Sequence, residues 1–185
     1  MPQLTAHNGA VRAKPLNCLP IAELSAMRLD GEIWRPSASY ASWCSISDPD
    51  SSTVRAASVA HLVDEDEVIY GAAAHWIYGV GDAPERIEIA SVRTGEARRS
   101  VDTVRHQRIY APDERALVGG VQVATPLRLA CDCVLDKTRE PREAMRLLAR
   151  LGVRPPEVIE WLDANPRRSG AKRARAMLAA MASAS

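Results

Sequence analysis

The side chains of this 185-residue chain whose types could do chemistry are four histidines, four cysteines and two groups of carboxylates. Cys131 and Cys133 are two apart on a stretch that reads as helix, so they point to different sides, and no second C-x-x-C or C-x-x-H pair completes a zinc set. His61, His75 and His106 fall on different elements and His7 near the N-terminus, so spacing brings none of them to a nucleophile. Asp64-Glu65-Asp66-Glu67 is a run of acids that nothing in the sequence folds inward, and it reads as a solvated loop instead of a metal site. Metal-dependent DNA cleavage would need an acidic pair followed by Glu-x-Lys on a strand. Glu85-Arg86-Ile87-Glu88 supplies carboxylates, but Ala90 stands where the lysine is required. Serine hydrolysis lacks its G-x-S-x-G elbow. Gly79 and Gly81 follow a helix without opening one, and miss the G-x-G-x-x-G spacing of a phosphate loop. The expectation is a non-enzymatic chain with no catalytic residues, no metal and no cofactor.

Charge says more than catalysis. Net charge is only +1, but residues 1–136 carry 13 Lys/Arg against 18 Asp/Glu, and residues 137–185 carry 11 against 5. A basic end is therefore available to an anionic surface. No apolar run approaches the roughly 20 residues of a membrane span. Cys18, Cys44, Cys131 and Cys133 read as buried free thiols, because a chain of this length does not need a disulfide framework. A cytoplasmic protein is expected.

The elements that must position these groups follow from periodicity. Residues 1–18 read as a mobile arm and residues 19–50 as a partial winged-helix-like segment. In the latter, Pro20–Gly31 is a helix with Ile21, Leu24, Ala26 or Met27, and Leu29 inward, followed by a hairpin of Glu32–Arg35 and Ser39–Trp43. Residues 51–136 form an α+β core. Its helices are Ser52–Val63 and the small-residue stretch Gly71–Tyr78; Val68-Ile69-Tyr70 begins a strand or runs on into that second helix, and Glu85–Val92 and Val101–Tyr110 are strands. With the opening hairpin these predict four or five strands in a mixed, mainly antiparallel sheet packed with helices. Residues 137–185 form a basic helical C-terminal region of three helices, Glu140–Leu151, Pro155–Asn165 and Gly170–Met181. Arg139, Arg142, Arg146 and Arg150 share one stripe of the first of these, opposite Ala144, Leu147, Leu148 and Leu151.

The most informative stretch is Gly119 to Asp132. Gly119-Gly120 lies between Ala116-Leu117-Val118 and Val121-Gln122-Val123, a strong hairpin signal because both central residues of a tight primed turn need positive φ. Thr125 suits an N-cap and Pro126 the first helical position. Arg128 and Asp132 are four apart on the new helix, but the cation comes first, the order that gains less from the helix dipole. Local helix stability explains the pair poorly. They are expected to anchor the sheet to the helical end.

Gly119 to Arg128 with Asp132 resembles the G-G-hydrophobic-x-V-T-[ST]-P-x-R-T-x-x-D signature of the AbiEi-type antitoxin family, in its actinobacterial form, with Leu129 where the signature often has Thr. Leu24–Glu32 resembles that family's helix leading into the wing hairpin. Ala72–Gly79 resembles its Ala-rich helix, and Pro166–Arg175 its Gly-punctuated basic segment. The resemblance implies a non-enzymatic antitoxin or transcriptional-regulator-like protein of a type IV toxin–antitoxin system. It would bind its own promoter DNA and oppose a nucleotidyltransferase-like toxin or another protein partner. The N-terminal module is shorter than a full winged helix, so backbone contacts would dominate. Candidate DNA-binding residues are Arg28 and Arg35 beside Trp34, Arg142, Arg146 and Arg150 on their stripe, and Arg167, Arg168, Lys172, Arg173 and Arg175 at the basic end. The alternative is an interaction domain without DNA; a nuclease-related enzyme stands third.

Overall fold

Gly119 and Gly120 close the turn that the sequence predicts, at φ +55° and +92°, between strands β6 (Arg115–Val118) and β7 (Val121–Ala124). Val118 faces Val121 in register, so the loop is two residues long. The second glycine position is open, whereas a Cβ on Gly119 would lie 2.3 Å from the Thr53 carbonyl and 2.7 Å from the Ala57 nitrogen. Close packing of this turn on the helix Ser52–Val59 (α2) thus requires glycine at 119.

The computed structural model describes residues 15, 16, 18–92 and 101–182. Most of the expected N-terminal arm, with His7, lies outside them. Helix α1 (Ile21–Leu29) leads to β1 (Ile33–Trp34) and β2 (Cys44–Ser45), an antiparallel pair that forms a sheet of its own and does not join the main one. α2 runs into a 3-10 turn, Ala60–Leu62, then β3 (Val68–Ile69), α3 (Gly71–Ile77), β4 (Ile87–Ser91) and β5 (Thr103–Gln107). After β6 and β7 come α4 (Pro126–Leu135), α5 (Pro141–Arg150), α6 (Pro155–Ala164) and α7 (Ala171–Ala182). The main sheet has the order β5-β4-β3-β7-β6. Its β3/β4 and β6/β7 pairs are antiparallel, and its β3/β7 and β4/β5 pairs are parallel. The class is α+β with a mixed sheet, as the sequence predicts. No described helix is long and apolar enough to cross a membrane.

Two apolar cores share α4. The first packs Ile69, Ile87, Ile89 and Val123 of the sheet against Val59, Trp76 and Ile77, and takes Leu129 from α4. The second packs Ala130, Cys131, Cys133 and Val134 of α4 against Leu148, Val158, Leu162, Ala174 and Leu178 of α5–α7. The C-terminal helices are therefore a bundle built on α4.

Five expectations are corrected. The strand placed at Ser39–Trp43 is a loop, and its role passes to Cys44–Ser45. The Arg35 guanidinium donates to the carbonyls of Ala38 and Tyr40, and the Tyr40 hydroxyl to that of Pro84, so side chains satisfy what a ladder would have. On α1 only Leu24 is buried; Ile21 and Leu29 are 83% and 87% exposed. α2 stops at Val59, four residues before the expected end, and His61 is exposed. The acidic run is not all solvated: Glu67 is buried in a two-pronged ion pair with Arg105, at 2.7 and 3.1 Å, and its Oε2 also accepts the Asp64 N–H. Cys18 is exposed, unlike the other three thiols.

Gly119→Ala should cost about 2–4 kcal/mol, combining overpacking with a left-handed backbone. Gly120→Ala, facing open space, should cost only about 1–2 kcal/mol. Urea midpoints of the two variants test the ranking.

Candidate functional site

The helix start at α4 sets the geometry. The Thr125 hydroxyl accepts the Arg128 N–H at 3.3 Å, and Pro126 occupies the first turn. Arg128 then turns into the interior, where it is 3% exposed. Its Nη1 donates to Glu114 Oε1 at 2.7 Å, and Nη2 and Nε donate to Asp132 Oδ1 at 2.9 and 3.3 Å. The other Glu114 oxygen accepts the Ala111 N–H, and Tyr110 Oη donates to Asp132 Oδ2 at 3.3 Å. Burial pulls the guanidinium's pKa down, but Asp132 and Glu114 outweigh it, and the net shift is upward. Burial also raises the Tyr110 phenol, with Asp132 adding to it. Glu114 is the partner that sequence spacing missed: it ends a 3-10 turn, Pro112–Glu114, just before β6, and no local periodicity links that turn to a residue fourteen positions later on a helix.

Arg128 is the middle rung of a ladder. Its guanidinium lies 4.9 Å from the Tyr110 ring and 5.2 Å from Trp161 on α6. Arg108 lies 4.7 Å from Tyr70 and 5.9 Å from Tyr110, and Arg168 lies 5.7 Å from Trp161. The charges alternate as well: Arg108 reaches Asp132 at 3.7 Å and Arg168 reaches Glu114 at 3.9 Å. Three cations and two carboxylates thus run from the end of β5 to the α6–α7 loop, interleaved with aromatic faces. The outer arginines are only loosely paired, with side chains 39% and 44% exposed. Both open on a cavity of about 770 Å³ whose walls include Tyr70, His75, Glu88 and Asp132.

One pair in this cavity looks catalytic and is not built for it. His75 Nδ1 lies 2.7 Å from the Gly71 carbonyl and its Nε2 lies 3.3 Å from Cys133 Sγ. A reactive pair needs a thiolate beside an imidazolium. Here burial pushes the Cys133 thiol up to about 11, and burial, against the Gly71 hydrogen bond, lowers the His75 pKa. Both groups are neutral at pH 7, so the arrangement is a packed hydrogen bond. Glu88 is also in structural use: its Oε2 accepts the Ala72 N–H at 3.0 Å, and a Cβ on Gly71 would meet that oxygen at 2.0 Å. Among the described residues no three His, Cys, Asp or Glu side chains converge as a metal set.

The structure divides the predicted cations by what they touch. Arg28 and Arg35 both lie over the Trp43 ring, at 6.0 and 5.2 Å, with Arg35 held by backbone carbonyls. Arg173 donates to the carbonyls of Val134 and Asp136 at the end of α4, and Arg175 to that of Leu162 while pairing with Asp163. Arg150 reaches the Gly79 carbonyl at 3.4 Å. Arg142, Arg146, Arg167 and Lys172 are exposed and make no ion pair among the described residues. Lys172 shares a shallow depression of about 590 Å³ with Lys137, Arg168 and Arg173 at the start of α7, and no carboxylate lines it. Lys137 is absent from the sequence-derived set because thirty residues separate it from the basic run.

Comparison of the chain with family models, with curated proteins and with solved structures finds no match.

Arg128→Ala leaves Glu114 buried without its cation and should cost about 3–5 kcal/mol of stability; an unchanged urea midpoint would refute the anchoring role. For His75, a folded pKa below the unfolded value of about 6.5 means that the unfolded chain binds more protons between the two. Stability therefore falls as pH drops below about 6.5, and His75→Asn should flatten that limb of the urea midpoint between about pH 7.5 and about pH 5.

Proposed function

We propose that this chain is a non-enzymatic regulator or antitoxin-like protein that holds nucleic-acid backbone at its basic C-terminal end. The observation that carries the reading is the acid-free depression of Lys137, Arg168, Lys172 and Arg173 beside exposed Arg167. Arg173 closes carbonyls at the end of α4, whereas Lys137, Arg168 and Lys172 are exposed on a concave surface at the start of a twelve-residue helix. Phosphates suit such a surface, and release of their counterions makes binding salt-dependent. Arg142 and Arg146 on α5 extend the exposed positive charge. Readout of bases is not favoured, since Arg35 is occupied by carbonyls and Arg28 is stacked on Trp43. The resemblance at Gly119–Asp132 supports promoter DNA of the chain's own operon as the target.

In a gel-shift titration with the duplex upstream of its own gene, affinity should fall steeply with salt. Arg167→Gln/Lys172→Gln should flatten the log–log slope by about 2 units, near 0.9 per lost contact. Its melting temperature should not change, because neither side chain belongs to the Arg128 network. Absence of a shift at low salt, or a shift indifferent to salt, would refute the reading.

A second reading is a protein-docking domain, and the exposed Ile21 and Leu29 on α1 favour it. Under it, co-expression with the adjacent gene yields a co-purifying complex that Leu29→Glu disrupts, and a nucleotidyltransferase-like toxin partner would lose its growth inhibition.

A further inference from the structure

Strand β6 is an edge of the main sheet, since among the described strands only β7 pairs with it. A two-residue loop makes Val118–Val121 a hydrogen-bonded pair, and alternation makes Ala116–Val123 the next. The same phase continues at Thr125, whose N–H donates to the Glu114 carbonyl at 2.9 Å. The N–H and C=O groups of Arg115 and Leu117 therefore point away from β7, and no described residue bonds to them. Proline, a bulge or a covering segment commonly blunts such an edge. Here the register with β7 is unbroken from Arg115 to Val118, and Leu117 is 70% exposed.

The side chains decide what this edge fits. Two copies of Arg115-Ala116-Leu117 can run antiparallel about a two-fold axis at Ala116, which sets each Arg115 opposite the other copy's Leu117. Both pairs are then of the hydrogen-bonded kind, and they use every outward N–H and C=O of the two residues. Ala116 meets its own copy at the axis, in the non-hydrogen-bonded pair where side chains come closest and a methyl group fits.

Charge matches across the same axis. Arg115 makes no ion pair among the described residues, and neither do the exposed Asp64 and Glu65. Those two acids share a concavity of about 400 Å³ with Leu117 and Gln122. Leu117 and Arg115 lie on one face of β6, being two apart in a strand. The two-fold thus brings Arg115 to the rim of the other copy's acidic concavity, and the contact occurs twice, as in an isologous interface. A foreign strand could form the backbone bonds but would lack this doubled match.

We infer that a second copy of this chain docks on β6, edge to edge, and joins the two main sheets into one continuous sheet. The surface lies apart from the basic depression and from α1, so it stands whether or not the chain binds nucleic acid.

Sedimentation equilibrium of the full chain, with hydrogen exchange read at the Arg115 and Leu117 amides, tests it. The expected result is a reversible dimer populated below millimolar concentration, with both amides gaining protection as it forms. Leu117→Lys puts a like charge opposite each Arg115, and its two contacts together should weaken the dimer about tenfold. Arg115→Glu should weaken it as well, and adding Asp64→Arg/Glu65→Arg should restore it. A monomer at every concentration would overturn the assignment, and protected amides in that monomer would give the edge to another segment of the same chain. A dimer indifferent to Leu117→Lys but lost with Leu29→Glu would overturn it in favour of α1.

Discussion

A guanidinium taken out of water must be compensated on every side, and Arg128 imposes that demand on most of the chain. Its carboxylates come from the 3-10 turn before β6 and from its own helix, and its aromatic faces come from Tyr110 and from α6. The hairpin at Gly119-Gly120 folds β6 back beside β7, which sets Glu114 against the start of α4, where the Thr125 nitrogen also donates to the Glu114 carbonyl at 2.9 Å. Each of these parts is ordinary alone. Their convergence on one cation fixes how the sheet meets the helices.

How much of this was legible in the sequence follows from the range of each interaction. The turn, the N-cap, Pro126 and the Arg128–Asp132 pair are local, and spacing reveals them. Glu114, Tyr110 and Trp161 are brought to Arg128 by tertiary packing, and a cation on an aromatic face has no sequence period to betray it. The same holds for Arg105 and Glu67, whose buried pairing converts one member of an apparently solvated acidic run into an anchor for the sheet-edge strand β5. Periodicity erred where amphipathic patterning was read as burial: α1 has the apolar spacing of a core helix, yet Ile21 and Leu29 face outward.

Composition alone also overstates the basic end. Arg173 and Arg175 lie in the densest run of positive charge, but both close exposed carbonyls at helix ends, a favourable position for a cation. The charge open to a partner belongs instead to Lys137, Arg167, Arg168 and Lys172 and to Arg142 and Arg146 on α5. Counting cations along the chain finds the region; only their carbonyl and carboxylate neighbours distinguish clamps from contacts.

The sharing of α4 between two apolar cores bears on how the chain could be divided. One face of this helix closes the sheet through Leu129, and the other seeds the bundle through Ala130, Cys131, Cys133 and Val134. Peeling the bundle away would uncover Trp161's side of Arg128 and the outer surface of α4 together, flooding the buried cation's surroundings with water. A cut after Asp136 would therefore yield neither an intact sheet module nor an autonomous bundle. The two parts on either side of the charge boundary thus share one helix, whose residues pack into both cores.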